Sequence, residues 1–385
     1  MTNNAILTPL AYDKFVKEYW EIQPLHIERA DSGHFDSLLS GEKIVQLVQN
    51  GEAYFPDVQA INASSAVSVA DYTIDKKLIC PEKIMQCYSQ GATIVVSEAH
   101  KKFQPLQILC ARFSRDFQML CQANVYLSPA GNQGFHSHYD THDVFVLQLA
   151  GRKKFRFYNT GIKLPFTDDT YTPDSNNDSQ IVDEVDISAG DTLYIPRGIV
   201  HDAIADKGEP SLHITLGAFP FVLRDLMQEM IQVAAEGDVE WRSAIDLQQP
   251  IDLTELYKKA ENLFSEPVYL EALSRLADEI ALQQPSESIV VPEVSLQSQI
   301  SVQDSSIYGI EKRQDQLKLR LRGVVLTFEA PMSNAVDAII GNGIKKVGDI
   351  PALDNEQKLA LCRHCLLYTS PSPRDLSTSR MPSSA

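Results

Sequence analysis

At 385 residues the chain is about two to three times the usual single-domain length, so one sizeable core with one or two smaller modules is expected. Its composition, 44% hydrophobic and 22% charged, is that of an ordinary globular protein. With 34 basic against 51 acidic residues the net charge is −17, a surplus that repels phosphate backbones, argues against direct nucleic-acid binding by the chain as a whole and favours a basic partner.

The opening residues MTNNAILTPLAYDKF lack a basic start and an apolar core, and no stretch reaches the roughly 18 apolar residues of a membrane span, so a cytoplasmic protein without a membrane partner is expected. Leu10, Phe15 and Tyr19 recur at helical spacing and predict a helix over residues 9–20, with Thr8 as its cap and Pro9 in its first turn. PLHIERA reads as extended. EKIVQLVQ, capped by Ser40 and closed by Asn50 and Gly51, reads as a second helix, and PEKIMQCYSQ, from Pro81 to the stop at Gly91, as a third. The β-branched run TIVVS predicts a strand, and from Pro105 a longer helix shares Leu106, Leu109, Phe113 and Phe117 on one face.

From Gln122 the period changes. ANVYLS, DVFVLQLA, KKFRFY, IVDEVDI, DTLYIP and SLHITLGAF are short, rich in β-branched and aromatic residues and separated by turn formers, which predicts an antiparallel barrel or sandwich. TDDTYTPDSNNDSQ interrupts them as a polar loop. After Pro220 three helices are expected in FVLRDLMQEMIQVAAEG, TELYKKAENLFSE and VYLEALSRLADEIALQQ. A polar bridge then leads to a strand, LKLRLRGVVLTFEA, and to helices in SNAVDAIIGNG and NEQKLALCRHCLL, an order that suits a small winged-helix-like module. The Ser/Pro-rich end cannot bury a core and is expected to be disordered or non-native. The expected division is a helical and mixed flank over 1–90, the barrel over 91–220, a helical dimerisation region over 221–290, the winged-helix-like module over 291–367 and a tail over 368–385. Six scattered cysteines are too sparse for a disulfide framework, and the Cys362/Cys365 pair reads as reduced thiols on a helix rather than a metal site.

The chemistry concentrates in GNQGFHSHYDTHDVFVLQLAGRKKF, where three histidines and two aspartates fall within eight positions. If His138, Tyr139 and Asp140 lie on a strand, period two sends His138 and Asp140 to one face. GDTLYIPRGIVHDA supplies a third donor, His201, delivered by a tight turn at Pro196 and Gly198. Two histidines and a carboxylate on one face of an octahedron, with the opposite face open, suit a non-haem Fe(II) centre that must admit a cosubstrate and O2. His136, His142 and Asp143 are the rival donors, set aside because His136 lies by a glycine-rich loop and Asp143 opens a hydrophobic strand. In the GRKKF strand, alternation places Lys153 with Phe155 and opposes Arg152, Lys154 and Arg156, and either set could face inward. His213 reads as a satisfied core histidine.

These residues resemble the JmjC family, a branch of the cupin-fold 2-oxoglutarate oxygenases. NVYLSPAGNQGFHSHYDTHDVFVLQLAGRKKFRFY followed by DTLYIPRGIVHDA is similar to the ribosomal-oxygenase-like and asparaginyl-hydroxylase-like members, in organisation over residues 8–290 and in motifs over 124–215. The resemblance implies an α+β fold with a double-stranded β-helix (cupin, jelly-roll) core, helical flanks and a C-terminal winged-helix-like module. It implies His138, Asp140 and His201 as catalytic metal ligands, and 2-oxoglutarate held by Lys153, Asn124 and Tyr126; Thr215, in SLHITLG, is a further candidate for hydrogen bonding near the cosubstrate. Phe155 departs from the group, which usually has Trp there. The expected activity is an Fe(II)-, 2-oxoglutarate- and O2-dependent hydroxylation of a protein side chain, with a basic ribosomal protein as client and a homodimer as the working state. The alternatives are a hydroxylase of a small molecule or peptide natural product, and a non-catalytic cupin-fold regulatory protein.

Overall fold

A computed structural model of the chain describes residues 3–51, 53–159, 161–172, 180–245 and 252–282, together with 295–298 and short pieces between 308 and 369. It divides into two compact units, one ending at Pro220 and one beginning at Phe221. Among the described residues no helix is long and apolar enough to cross a membrane.

The first unit is built on two facing antiparallel sheets. The larger has seven strands: β1 (Leu25–Ile27), β2 (Val58–Ile61), β5 (Thr93–Val96), β6 (Leu120–Ser128), β7 (Asp143–Ala150), β10 (Thr192–Ile195) and β12 (Ser211–Phe219), in the order β1-β10-β7-β12-β6-β5-β2. The smaller joins β11 (His201–Ala205), β8 (Arg152–Tyr158) and β9 (Ile181–Ser188). Two short strands, β3 (Thr73–Ile74) and β4 (Leu78–Ile79), pair separately. All six strands expected after Gln122 are present. β1 and β2 also belong to the large sheet, so the flank expected over residues 1–90 is in part barrel wall.

β7 explains the continuous apolar run DVFVLQLA, because it is buried on both faces. Val144 and Val146 point into the barrel and join Phe155, Phe157, Ile187, Leu193 and Ile195. Phe145, Leu147 and Leu149 point the other way into the main core, shared with helices α2 (Tyr12–Glu18), α3 (Gly41–Gln49), α4 (Val69–Tyr72), α5 (Pro81–Ser89) and α6 (Gln104–Phe117). There Phe15, Phe113, Phe117 and Tyr194 pack their rings within 6 Å of the Phe145 ring.

Four local expectations are corrected. The helix over 9–20 is instead α1 (Asn3–Leu7) followed by α2, because the Leu10 N–H closes a turn onto the Leu7 carbonyl and α2 begins only after Ala11. β11 has no signal in its five residues, HDAIA, which lack a β-branched run. LKLRLRGVVLTFEA is two strands, β14 (Gln316–Leu321) and β15 (Val324–Glu329), hairpinned with Leu321 opposite Val324 and preceded by β13 (Tyr308–Arg313). The last helix, Asn355–Thr369, takes in the first two residues assigned to the tail, Tyr368 and Thr369. Residues 370–385, most of SNAVDAIIGNG and 173–179 of the polar insert lie outside the described residues.

In the second unit, α7 (Leu223–Gly237), α8 (Leu253–Leu263) and α9 (Glu266–Leu282) enclose Met230, Ala234, Leu263 and Ala272, with Leu226, Met227 and Val233 packed against them. Much of the apolar face of α7 that was expected to serve a dimer is therefore covered within its own unit.

Candidate metal and cosubstrate site

Residues 131–140 carry two of the three expected donors and are not a strand. The segment runs beside β11, tied by Gly131 N–H to the Asp206 carbonyl, by Ala205 N–H to the Asn132 carbonyl and by reciprocal bonds between His138 and His201. His138 and Asp140 converge through this pairing and the bond from Gly198 N–H to the Asp140 carbonyl, not through strand alternation.

His138, Asp140 and His201 each offer a donor atom within 4.8 Å of the others. Asp140 Oδ1 lies 4.0 Å from His138 Nε2, and its Oδ2 lies 3.6 Å from His201 Nε2. His138 Nδ1 donates to the His136 carbonyl at 2.9 Å, and His201 Nδ1 donates to the Ile199 carbonyl at 3.0 Å. A carbonyl can only accept, so both rings carry a proton on Nδ1 and turn Nε2 toward Asp140, the outer arrangement that orients metal-bound histidines. Burial, and then the neighbouring His138, lowers the His201 pKa and keeps that imidazole neutral, as a ligand must be. The donor set fits a divalent transition ion with an open face.

These three residues line a cavity of about 280 Å³ together with Asn124, Tyr126, Lys153, His213 and Thr215. Lys153 faces inward with Phe155, and its ammonium donates to Ser128 Oγ, which also accepts from Thr93 Oγ1. Among the described residues no carboxylate stands beside it. Burial lowers its pKa from 10.5 to about 7. On the opposite face Lys154 pairs with Glu184 and Asp186, and Arg156 with Asp202. A buried lysine lining this cavity fits the far carboxylate of a dicarboxylic acid. Tyr126 stacks on His213 at 4.8 Å and stays protonated, its phenol pushed up by burial and then by Asp140. Asn124 accepts from the Glu98 N–H and from Gln122, and Thr215 is buried on β12 opposite Asn124.

His213 is not the satisfied core residue expected, since its buried Nδ1 has no hydrogen-bond partner among the described residues and it lines the cavity. Of the rival donors, His136 is exposed and contributes only its carbonyl. His142 stacks on Phe219 outside the donor cluster. Asp143 is buried in an ion pair with Arg197 and accepts from the Tyr194 hydroxyl. Sequence reasoning missed Ser128, Thr93, Gln133 and Asp202, since a lone Ser, Thr, Gln or Asp carries no local signal and acts here through cross-strand partners.

Residues 99–226 match the JmjC domain family model. The bifunctional lysine-specific demethylase and histidyl-hydroxylase NO66 of Drosophila persimilis is 30% identical over 250 residues, spanning 64% of this chain and 36% of that protein. Ribosomal oxygenase 1 of Gallus gallus is 28% identical over 252 residues, spanning 63% and 41%. The chain thus spans well under half the length of these curated relatives. Among solved structures, YcfD, a ribosomal oxygenase from Escherichia coli in complex with cobalt and succinic acid, superposes over 94% of this chain and 97% of its own, with a TM-score of 0.50 at 16% identity, a likeness of fold. Residues 99–226 thus carry a JmjC domain match on a cupin-fold barrel, and the chain is similar in sequence to NO66 and ribosomal oxygenase 1 and in fold to YcfD.

Proposed function

We propose that the protein is an Fe(II)- and 2-oxoglutarate-dependent oxygenase that hydroxylates a side chain of a basic ribosomal protein. The observation that carries this reading is the pairing, in one cavity, of the His138, Asp140 and His201 donors with the inward, buried Lys153. The activities for which the relatives are named, and the cobalt and succinic acid of the YcfD complex, support it. Bound iron would supply O2 activation coupled to oxidative decarboxylation of 2-oxoglutarate to succinate and CO2.

The chain's own residues bind and orient. His138, Asp140 and His201 hold the ion by one face. Lys153 neutralises the distal carboxylate of 2-oxoglutarate, with Tyr126 and His213 lining the same cavity. Asn124 and Thr215 contact the cosubstrate along β6 and β12. The barrel walls exclude water, so that turnover is confined to the open face. A net charge of −17 and the acidic edge strand β9, with Asp183, Glu184 and Asp186 exposed, favour a basic client. A cytoplasmic location and a homodimer complete the proposal.

The test incubates purified protein with Fe(II), 2-oxoglutarate and O2 against total ribosomal proteins from the source cell. One protein gaining the mass of one oxygen atom, and not gaining it with Asp140→Ala, is the expected result. Succinate formation with no ribosomal protein modified would move the client to the small-molecule or peptide class.

A further inference from the structure

The proposed ligand His138 sits on an irregular segment, so something other than a strand must hold its ring. Its orientation depends on the His136 carbonyl, which takes the Nδ1 proton. The preceding carbonyl, that of Phe135, accepts from Gln133 Nε2 at 2.7 Å. The Gln133 amide is fixed at both ends, because its Oε1 accepts from Arg156 at 3.0 Å and its Nε2 also donates to Asp202 at 3.2 Å.

Asp202 anchors this cluster. It follows His201 on β11 and lies directly across from Arg156 on β8. Its Oδ1 accepts from Arg156 Nε at 2.6 Å, and its Oδ2 accepts from Arg156 at 2.7 Å and from the Tyr158 hydroxyl at 2.8 Å. The fork is bidentate and the carboxylate is 5% exposed. With both oxygens saturated, Asp202 is not a fourth donor to the ion, although it borders the same cavity.

We propose that Gln133, held by Asp202 and Arg156, is a positioning residue of the metal site: it pins the 131–140 segment so that the His138 imidazole presents Nε2 to the ion. The line runs from the Asp202 carboxylate to the Gln133 amide, to the Phe135 carbonyl, and through the next peptide to the carbonyl that fixes the ring. Groups one step beyond metal ligands typically contribute about 10- to 100-fold in metal affinity. The proposal rests on the metal-site reading above.

The test is a Co(II) titration of the folded full-length protein, followed by the visible absorption of the bound ion and needing no turnover, with circular dichroism on each variant. Gln133→Ala, at a half-buried position, is expected to keep the wild-type dichroism and to bind Co(II) about 10- to 100-fold more weakly. Asp202→Asn, which cannot accept the bidentate fork, is expected to weaken binding by a similar factor, and the double variant by less than the product of the two, since both act on one line. Lys154→Ala, on the opposite face of β8, is expected to bind as wild type. Gln133→Ala with wild-type affinity overturns the proposal while leaving the metal site intact, and Gln133→Ala decides alone if Asp202→Asn does not fold. A wild-type protein that binds no Co(II), or binds it equally with His138→Ala, overturns the metal-site reading and this proposal with it.

Discussion

Lys153 is the residue on which the cosubstrate reading can be tested by pH. Burial holds its ammonium down to about 7, and a dicarboxylate seated beside it favours the charged form. Above pH 7 each binding event therefore draws in a proton, and affinity for 2-oxoglutarate falls by up to about tenfold per pH unit. Calorimetry of the metal-loaded protein in buffers of different ionisation enthalpy measures that uptake directly. Lys153→Arg, charged throughout, is expected to flatten the slope. Lys153→Ala is expected to raise the half-saturating 2-oxoglutarate concentration about 10- to 100-fold, while Lys154→Ala leaves it unchanged. The opposite ranking would contradict the inward assignment of β8. Stability carries the opposite pH sign. The unfolded lysine keeps its proton to about 10.4, so the folded state gains stability as pH rises from about 7 toward 10, a gain that Lys153→Met removes. Residue type and spacing marked His138, Asp140, His201 and Lys153 in the sequence. Asp202 and His213 were not legible, because the first matters through a cross-strand arginine and the second through an orphaned nitrogen, and neither relation is local in the chain.

At the scale of elements, β7 was the plainest strand in the sequence, because both of its faces are buried and the apolar run is unbroken. β11 was the least plain: it is five residues long, begins with a site histidine and is held by pairing with β8. The condition set for His138 to Asp140, that they lie on a strand, does not hold, and backbone bonds to β11 bring the two side chains together instead. The core side of β7 predicts a stability effect. Phe145 is fully buried among Phe15, Phe113, Phe117 and Tyr194, so Phe145→Ala is expected to cost about 3–5 kcal/mol in denaturant unfolding. A loss below about 1 kcal/mol would mean that the α2 and α6 helices do not close on the sheet as described.

For the whole molecule, the proposed homodimer shifts in its details. Leu226 and Met230 pack within the α7–α9 cluster and make poor probes of an interface. Exposed apolar side chains lie instead on and beside α8 and α9, with Tyr257 71% and Phe264 62% exposed, more than a monomer usually leaves in one region. Replacing both with charged residues is expected to reduce the light-scattering mass from twice the monomer to one, with helicity unchanged. A wild-type mass of one monomer contradicts the dimer. The boundary at Pro220 was visible in the sequence as a change of period from two to 3.6. The three-stranded β13–β15 sheet was not, because LKLRLRGVVLTFEA holds a single glycine and no proline, too weak a turn signal to divide it into two strands.

The central claim, that the triad and Lys153 grip the two ends of one metal-bound dicarboxylate, is tested most directly by a crystal structure with Co(II) and 2-oxoglutarate, the ion located by its anomalous scattering. The account predicts one ion bound by His138 Nε2, Asp140 and His201 Nε2, with the distal carboxylate in hydrogen-bond contact with Lys153 Nζ. An ion held by other residues, or a cosubstrate whose distal carboxylate lies away from Lys153, would contradict it.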